Sequence, residues 1–143
     1  MKKIIKKLKK KNKIFNNSLS NQVIKNFNFE LTEDQKKSIS EINKDLTSDY
    51  KMFRILQGDV GSGKTIVSFI GASNVIKSSY QVTLMAPTEI LAKQHYDLAN
   101  KIFKSTSVNI ALLTSKTKYK DKILIHQKLK KGKINFLIGT HSL

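Results

Sequence analysis

Residues 56–65 read "LQGDVGSGKT", and this stretch decides the fold. Gly58 to Thr65 satisfies G-x-x-x-x-G-K-[ST] at every defined position. Its glycines open backbone conformations closed to other residues. Successive N–H groups can then turn inward around a phosphate while the following helix presents its positive end. In such a loop Lys64 reaches the β- and γ-phosphates and the Thr65 hydroxyl ligates Mg2+. The competing reading is a chance glycine turn, which the spanned length and the flanking pattern outweigh.

Working outward, "MFRIL" (52–56) is a short apolar run that ends at the glycines and reads as a strand. After the loop, Ile66, Val67, Ile70, Val75 and Ile76 recur at helical spacing over 65–77. The alternation continues with strands over 81–86, 108–113 and 134–139 and helices over 88–103 and 120–131, the last stopped by Gly132. Upstream, Thr32 with Gln35 three residues on forms a capping box, and Ile39, Ile42 and Leu46 share one face of a helix over 33–46. Strands alternating with helices predict an α/β fold with a parallel, doubly wound sheet.

The 143 residues suffice for one domain with a core. The absence of cysteine excludes disulfides and thiolate metal sites, and His95, His126 and His141 are too scattered for zinc. Lys and Arg total 27 against 10 acids, a formal charge of +17 that attracts polyanions such as nucleic acid. All but one of the 27 are lysines, so a lysine-rich coding bias explains the charge equally well. Eight lysines fall in the first thirteen residues, without the apolar run of a signal peptide or membrane span. Residues 12–28 are Asn/Ser-rich and read as linker, giving a basic extension over 1–28 and an ordered unit over 29–143.

Enzymes with such a loop place an acid at the end of another strand to hold the metal and position water. None of the ten acids fits. Asp59 lies inside the loop, Glu89 reads as a helix-start acid, and the final strand leads into Thr140-His141.

Taken together, "FELTEDQ" (29–35), "ILQGDVGSGKT" (55–65), "MAPTEILAKQH" (85–95) and "IGTHSL" (138–143) resemble the first motor domain of bacterial RecG-type DNA helicases of superfamily two. Transcription-repair coupling factors share part of the pattern, but Ser62 and Glu89 favour the RecG type. The resemblance implies a RecA-like P-loop NTPase sheet, incomplete here, within an ATP-dependent enzyme that remodels forks and Holliday junctions. It implies ATP and Mg2+ as cofactors, branched DNA as partner, a monomeric full-length protein and a bacterial cytoplasmic setting, with no membrane.

Residue by residue, Gln35 would read adenine, with Phe29 near the base. Gly58, Gly61, Ser62, Gly63, Lys64 and Thr65 would hold the nucleotide, with Lys64 and Thr65 as the catalytic pair and Thr65 as the metal contact. Pro87, Thr88, Gly139 and Thr140 would meet the DNA backbone. Where the family continues with Gly-Ser after the third strand, Ser115-Lys116 follow Thr114, which puts a DNA contact there in doubt. Such a protein would also carry metal-binding acids and a second motor domain after this region, and a wedge domain before it. The alternative is a hydrolysis-incompetent module that binds nucleotide or DNA alone.

Overall fold

Strand order follows from where the longest apolar positions can be covered on both sides. In the structure, a computed structural model that describes residues 18–141, β3 (Phe136–Gly139) is buried at all four positions. It lies between β1 (Val82–Met85) and β2 (Ile110–Leu113), parallel to both, in the order β1-β3-β2. The register places Met85, Gly139 and Leu113 side by side. Parallel neighbours need long crossovers. These are supplied by α4 (Glu89–Ile102) between β1 and β2 and by α5 (Tyr119–Lys130) between β2 and β3.

The α/β class, the parallel pairing and the capping signals match the reading of the sequence. Thr32 Oγ1 accepts from Gln35 N at 3.3 Å while Gln35 Oε1 accepts from Thr32 N at 3.0 Å, closing the capping box of α2 (Glu33–Thr47). Gly132 stands at φ +67° just past α5, and Lys133 N donates to Lys128 O while Gly132 N donates to Leu129 O. That pair of bonds satisfies the last helical carbonyls and needs the left-handed residue.

The core lies between one face of the sheet and the helices α3 (Lys64–Lys77), α4 and α1 (Ser18–Phe27). Phe69, Phe103 and Phe136 meet at its centre, with Phe136 edge-on to Phe69 at 5.6 Å and to Phe103 at 6.0 Å between ring centroids. Rings prefer such edge-to-face packing.

Two expectations are corrected. Residues 18–27, read as linker, form α1, which packs on α3 and buries Leu19 and Val23. Its helical signal was a sparse apolar stripe among Asn, Ser and Gln, and its stability comes from tertiary contact. Residues 52–56, read as a strand, join no ladder among the described residues. Alternate residues Met52, Arg54 and Leu56 line a cleft of about 460 Å³ between this segment, α2, α3 and β1. Phe53 and Ile55 face solvent at 75% and 90% exposure. A strand is completed by a hydrogen-bonded neighbour, and the space beside β1 on this side is cleft. The basic stretch 1–13 and Ser142-Leu143 lie outside the described residues.

Candidate functional site

The glycine loop of residues 58–63 forms without a strand of the described sheet leading into it. Gly61 and Gly63 stand at φ +84° and +82°, the left-handed region that favours glycine. Gly63 is also the N-cap of α3, and a Cβ there would lie 2.3 Å from Gln35 Nε2. Ser62 N closes a turn onto Asp59 O at 3.2 Å.

Lys64 Nζ folds back across this turn. It donates to Gly58 O and Asp59 O, both at 2.6 Å, and lies 3.5 Å from Ser62 Oγ. A cavity of about 380 Å³ opens beside it, lined by Thr32, Gln35, Gln57, Gly58, Ser62 and Lys64 among others. Glycine amides, one ammonium and the N-terminus of a fourteen-residue helix make this a cradle for an anion. Thr65 follows in the first turn, half-buried.

Gln35 joins this site from another element. Its Nε2 donates to Ser62 O at 2.9 Å, so the residue that caps α2 also touches the loop. Phe29, by contrast, is 72% exposed and packs edge-on against Phe27 at 5.6 Å, on the rim of a separate cavity. The approach to the loop is held by Arg54, the chain's one arginine. Its Nη1 meets Glu41 Oε2 at 2.7 Å and its Nη2 meets Asp45 Oδ2 at 2.8 Å, pinning residues 52–56 to α2. The paired carboxylates raise the Arg54 pKa further, the hydrogen bond to Asp45 foremost. That clamp was missed in the sequence because nothing local pairs residue 54 with residues 41 and 45.

The other predicted residues gather at the carboxyl ends of the strands. Ala86 N donates to Gly139 O at 2.8 Å, and Thr140 N to Leu113 O at 3.4 Å, so the chain leaving all three strands does so at one edge. Pro87 and Thr88 follow β1 there, and Thr88 caps α4 by accepting from Leu91 N at 3.2 Å. Gly139 and Thr140 leave β3 beside them, with Thr140 9% exposed.

A contact between loops completes this edge. Glu89 accepts hydrogen bonds from the Ser115 hydroxyl and, at 3.3 Å, from Lys116 N, and its other oxygen lies 3.2 Å from Lys116 Nζ. The Ser115 hydroxyl, then Lys116, hold the Glu89 carboxyl below the usual carboxylate range. Among the described residues no three His, Cys, Asp or Glu side chains cluster as metal ligands, and no helix is long and apolar enough to cross a membrane.

The family described as DEAD/DEAH box helicase matches residues 32–143. The chain is 47% identical over 122 residues to the ATP-dependent DNA helicase RecG of Aquifex aeolicus, covering 85% of this chain and 15% of that protein. It is 46% identical over 129 residues to the RecG of Bacillus subtilis, covering 90% of this chain and 19% of that protein. A solved structure described as RecG bound to a three-way DNA junction superposes with a TM-score of 0.87 at 39% identity, over 92% of this chain and 18% of that one. A hypothetical ATP-dependent RNA helicase from Sulfolobus tokodaii shares the fold at a TM-score of 0.63 and 20% identity. The chain thus spans under a fifth of the length of these RecG relatives.

Proposed function

The chain belongs to the DEAD/DEAH box helicase family, and on that premise we propose that it is the ATP-binding part of a RecG-type, ATP-dependent DNA helicase that remodels branched DNA such as forks and junctions. In this reading residues 29–143 make the start of a first motor domain, and α1 is an N-terminal flank packed on it. The observation that supports the proposal is the Gln35–Ser62 hydrogen bond: a side-chain amide held at the rim of the glycine loop is suited to read a base whose phosphates the loop would cradle.

The residues present fit Mg-ATP. Gly58, Gly61 and Gly63 let the main chain approach the phosphates, Lys64 would exchange its bonds to the Gly58 and Asp59 carbonyls for phosphate oxygens, and Thr65 would offer its hydroxyl to Mg2+. Gln35 would turn its amide to the adenine edge while its helix stays capped at Thr32. Bound ATP supplies the hydrolysable phosphoryl group that powers a motor. At the strand ends, Thr88 and Thr140 would receive a DNA backbone through hydroxyl and main-chain groups, contacts that position without reading sequence.

Titration of the chain with Mg-ATP and with forked DNA tests the reading. Saturable Mg-ATP binding that Lys64→Ala abolishes, together with DNA binding that Thr88→Ala weakens, is the expected result. Absence of nucleotide binding would overturn it.

A further inference from the structure

Glu89 stands one residue after the N-cap of α4, where an acid favours the positive end of a helix. That role requires only a carboxylate near the first turn. It does not account for a side chain that bridges 26 residues in sequence to Ser115 and also engages both the amide and the ammonium of Lys116. The receiving turn is well defined: Thr117 N donates to Thr114 O at 3.1 Å, and Thr114 N to Thr117 Oγ1 at 3.0 Å. Lys122 Nζ adds a contact to Ser115 O at 3.5 Å. The turn leaving β2 and the start of α4, which follows β1, are therefore locked together beside Thr88.

The charges make this arrangement informative. A lone carboxylate next to a DNA-backbone site repels phosphate, so electrostatics alone would disfavour Glu89 at this edge. Its side chain is 27% exposed, while that of Lys116 is 86% exposed. The acid is thus turned into the contact between the loops and the cation outward. An ammonium has three donors and spends one on Glu89, leaving the others for an anion.

We propose that Glu89 is a positioning residue for nucleic-acid binding, fixing the turn Thr114–Thr117 against the start of α4 so that Lys116 meets a phosphate of the strand held at Thr88 and Thr140. This rests on the DNA-binding reading above. It assigns a contact to Ser115-Lys116, where departure from the family's Gly-Ser had cast doubt on one.

The test is the affinity of the full chain for a labelled forked DNA, measured by anisotropy across a salt series, for the wild type and for E89A, E89Q, S115A and K116A. E89A is expected to bind several-fold more weakly, although it removes a negative charge from a chain already at +17. E89Q keeps an oxygen that accepts from Ser115 and the Lys116 amide, and is expected to retain most of the affinity. S115A should fall between them. K116A should lower the slope of log affinity against log salt by about one. Equal or tighter binding by E89A, equal losses in E89A and E89Q, or an unchanged slope in K116A would each overturn the proposal. If E89A loses its fold by circular dichroism, S115A and K116A decide alone. Failure of the wild type to bind DNA would instead overturn the reading on which the proposal rests.

Discussion

The Gln35 side-chain amide donates to the main-chain carbonyl of Ser62 at 2.9 Å, across 27 residues of sequence. The same amide group accepts from Thr32 N, so one residue serves the cap of α2 and the glycine loop together. Gln35→Ala removes both bonds. It also removes the proposed contact with the base: at about 0.5–1.5 kcal/mol for one hydrogen bond, ATP affinity is expected to fall roughly twofold to tenfold, and preference for ATP over GTP to narrow. Competition binding with both nucleotides checks this, and unchanged preference would dissociate Gln35 from the base.

The Lys64 ammonium bridges the loop carbonyls of Gly58 and Asp59. Lys64→Ala should abolish Mg-ATP binding. The chain itself should bind Mg-ATP weakly without turning it over, because none of its ten acids stands where a metal-holding carboxylate is needed. A positioned electrostatic group of this kind is worth about 10²–10³ in rate. Steady phosphate release from the chain, lost in Lys64→Ala, would contradict this.

Phe136 is fully buried between Phe69 and Phe103 on the central strand. Phe136→Ala leaves a cavity that three elements cannot close without shifting, and should cost about 3–5 kcal/mol. With total stability of an ordinary domain near 5–15 kcal/mol, the variant should melt far earlier or fail to fold. Chemical denaturation followed by far-ultraviolet circular dichroism provides the measurement.

Hydrogen exchange should separate two apolar stretches of similar composition. Amides of β3, paired on both sides, are expected to exchange slowest, and those of residues 52–56, which join no ladder, to exchange fast. The outer edges of β1 and β2, which pair with no strand among the described residues, also invite pairing with other chains, so concentrated samples should tend to associate. Strong protection across 52–56 would show a strand partner that the structure lacks.

Lys2 to Lys13 offer point charges and almost no base-reading side chains. Deleting residues 1–13 is expected to flatten the salt dependence of DNA binding while leaving its indifference to sequence unchanged. A slope equal to that of the whole chain would assign the lysines to coding bias.

Local chemistry was legible from the residues alone. Gly61 and Gly63 announced left-handed positions, Thr32 with Gln35 announced a cap, and Gly132 announced a helix end, because each signal acts within a few residues of chain. The alternation of strands and helices likewise gave the class of fold. Tertiary structure alone decided what depends on distant partners. Residues 18–27 became a helix because α3 and α4 offered Leu19 and Val23 an apolar surface, whereas 52–56 stayed outside the sheet because no strand among the described residues met it. Arg54 found Glu41 and Asp45, and Glu89 found Ser115 and Lys116, through folding that brings separate elements within hydrogen-bond reach. Periodicity records which face of an element is apolar, but the partner that covers it, or the charge that meets it, is set only when the chain closes on itself.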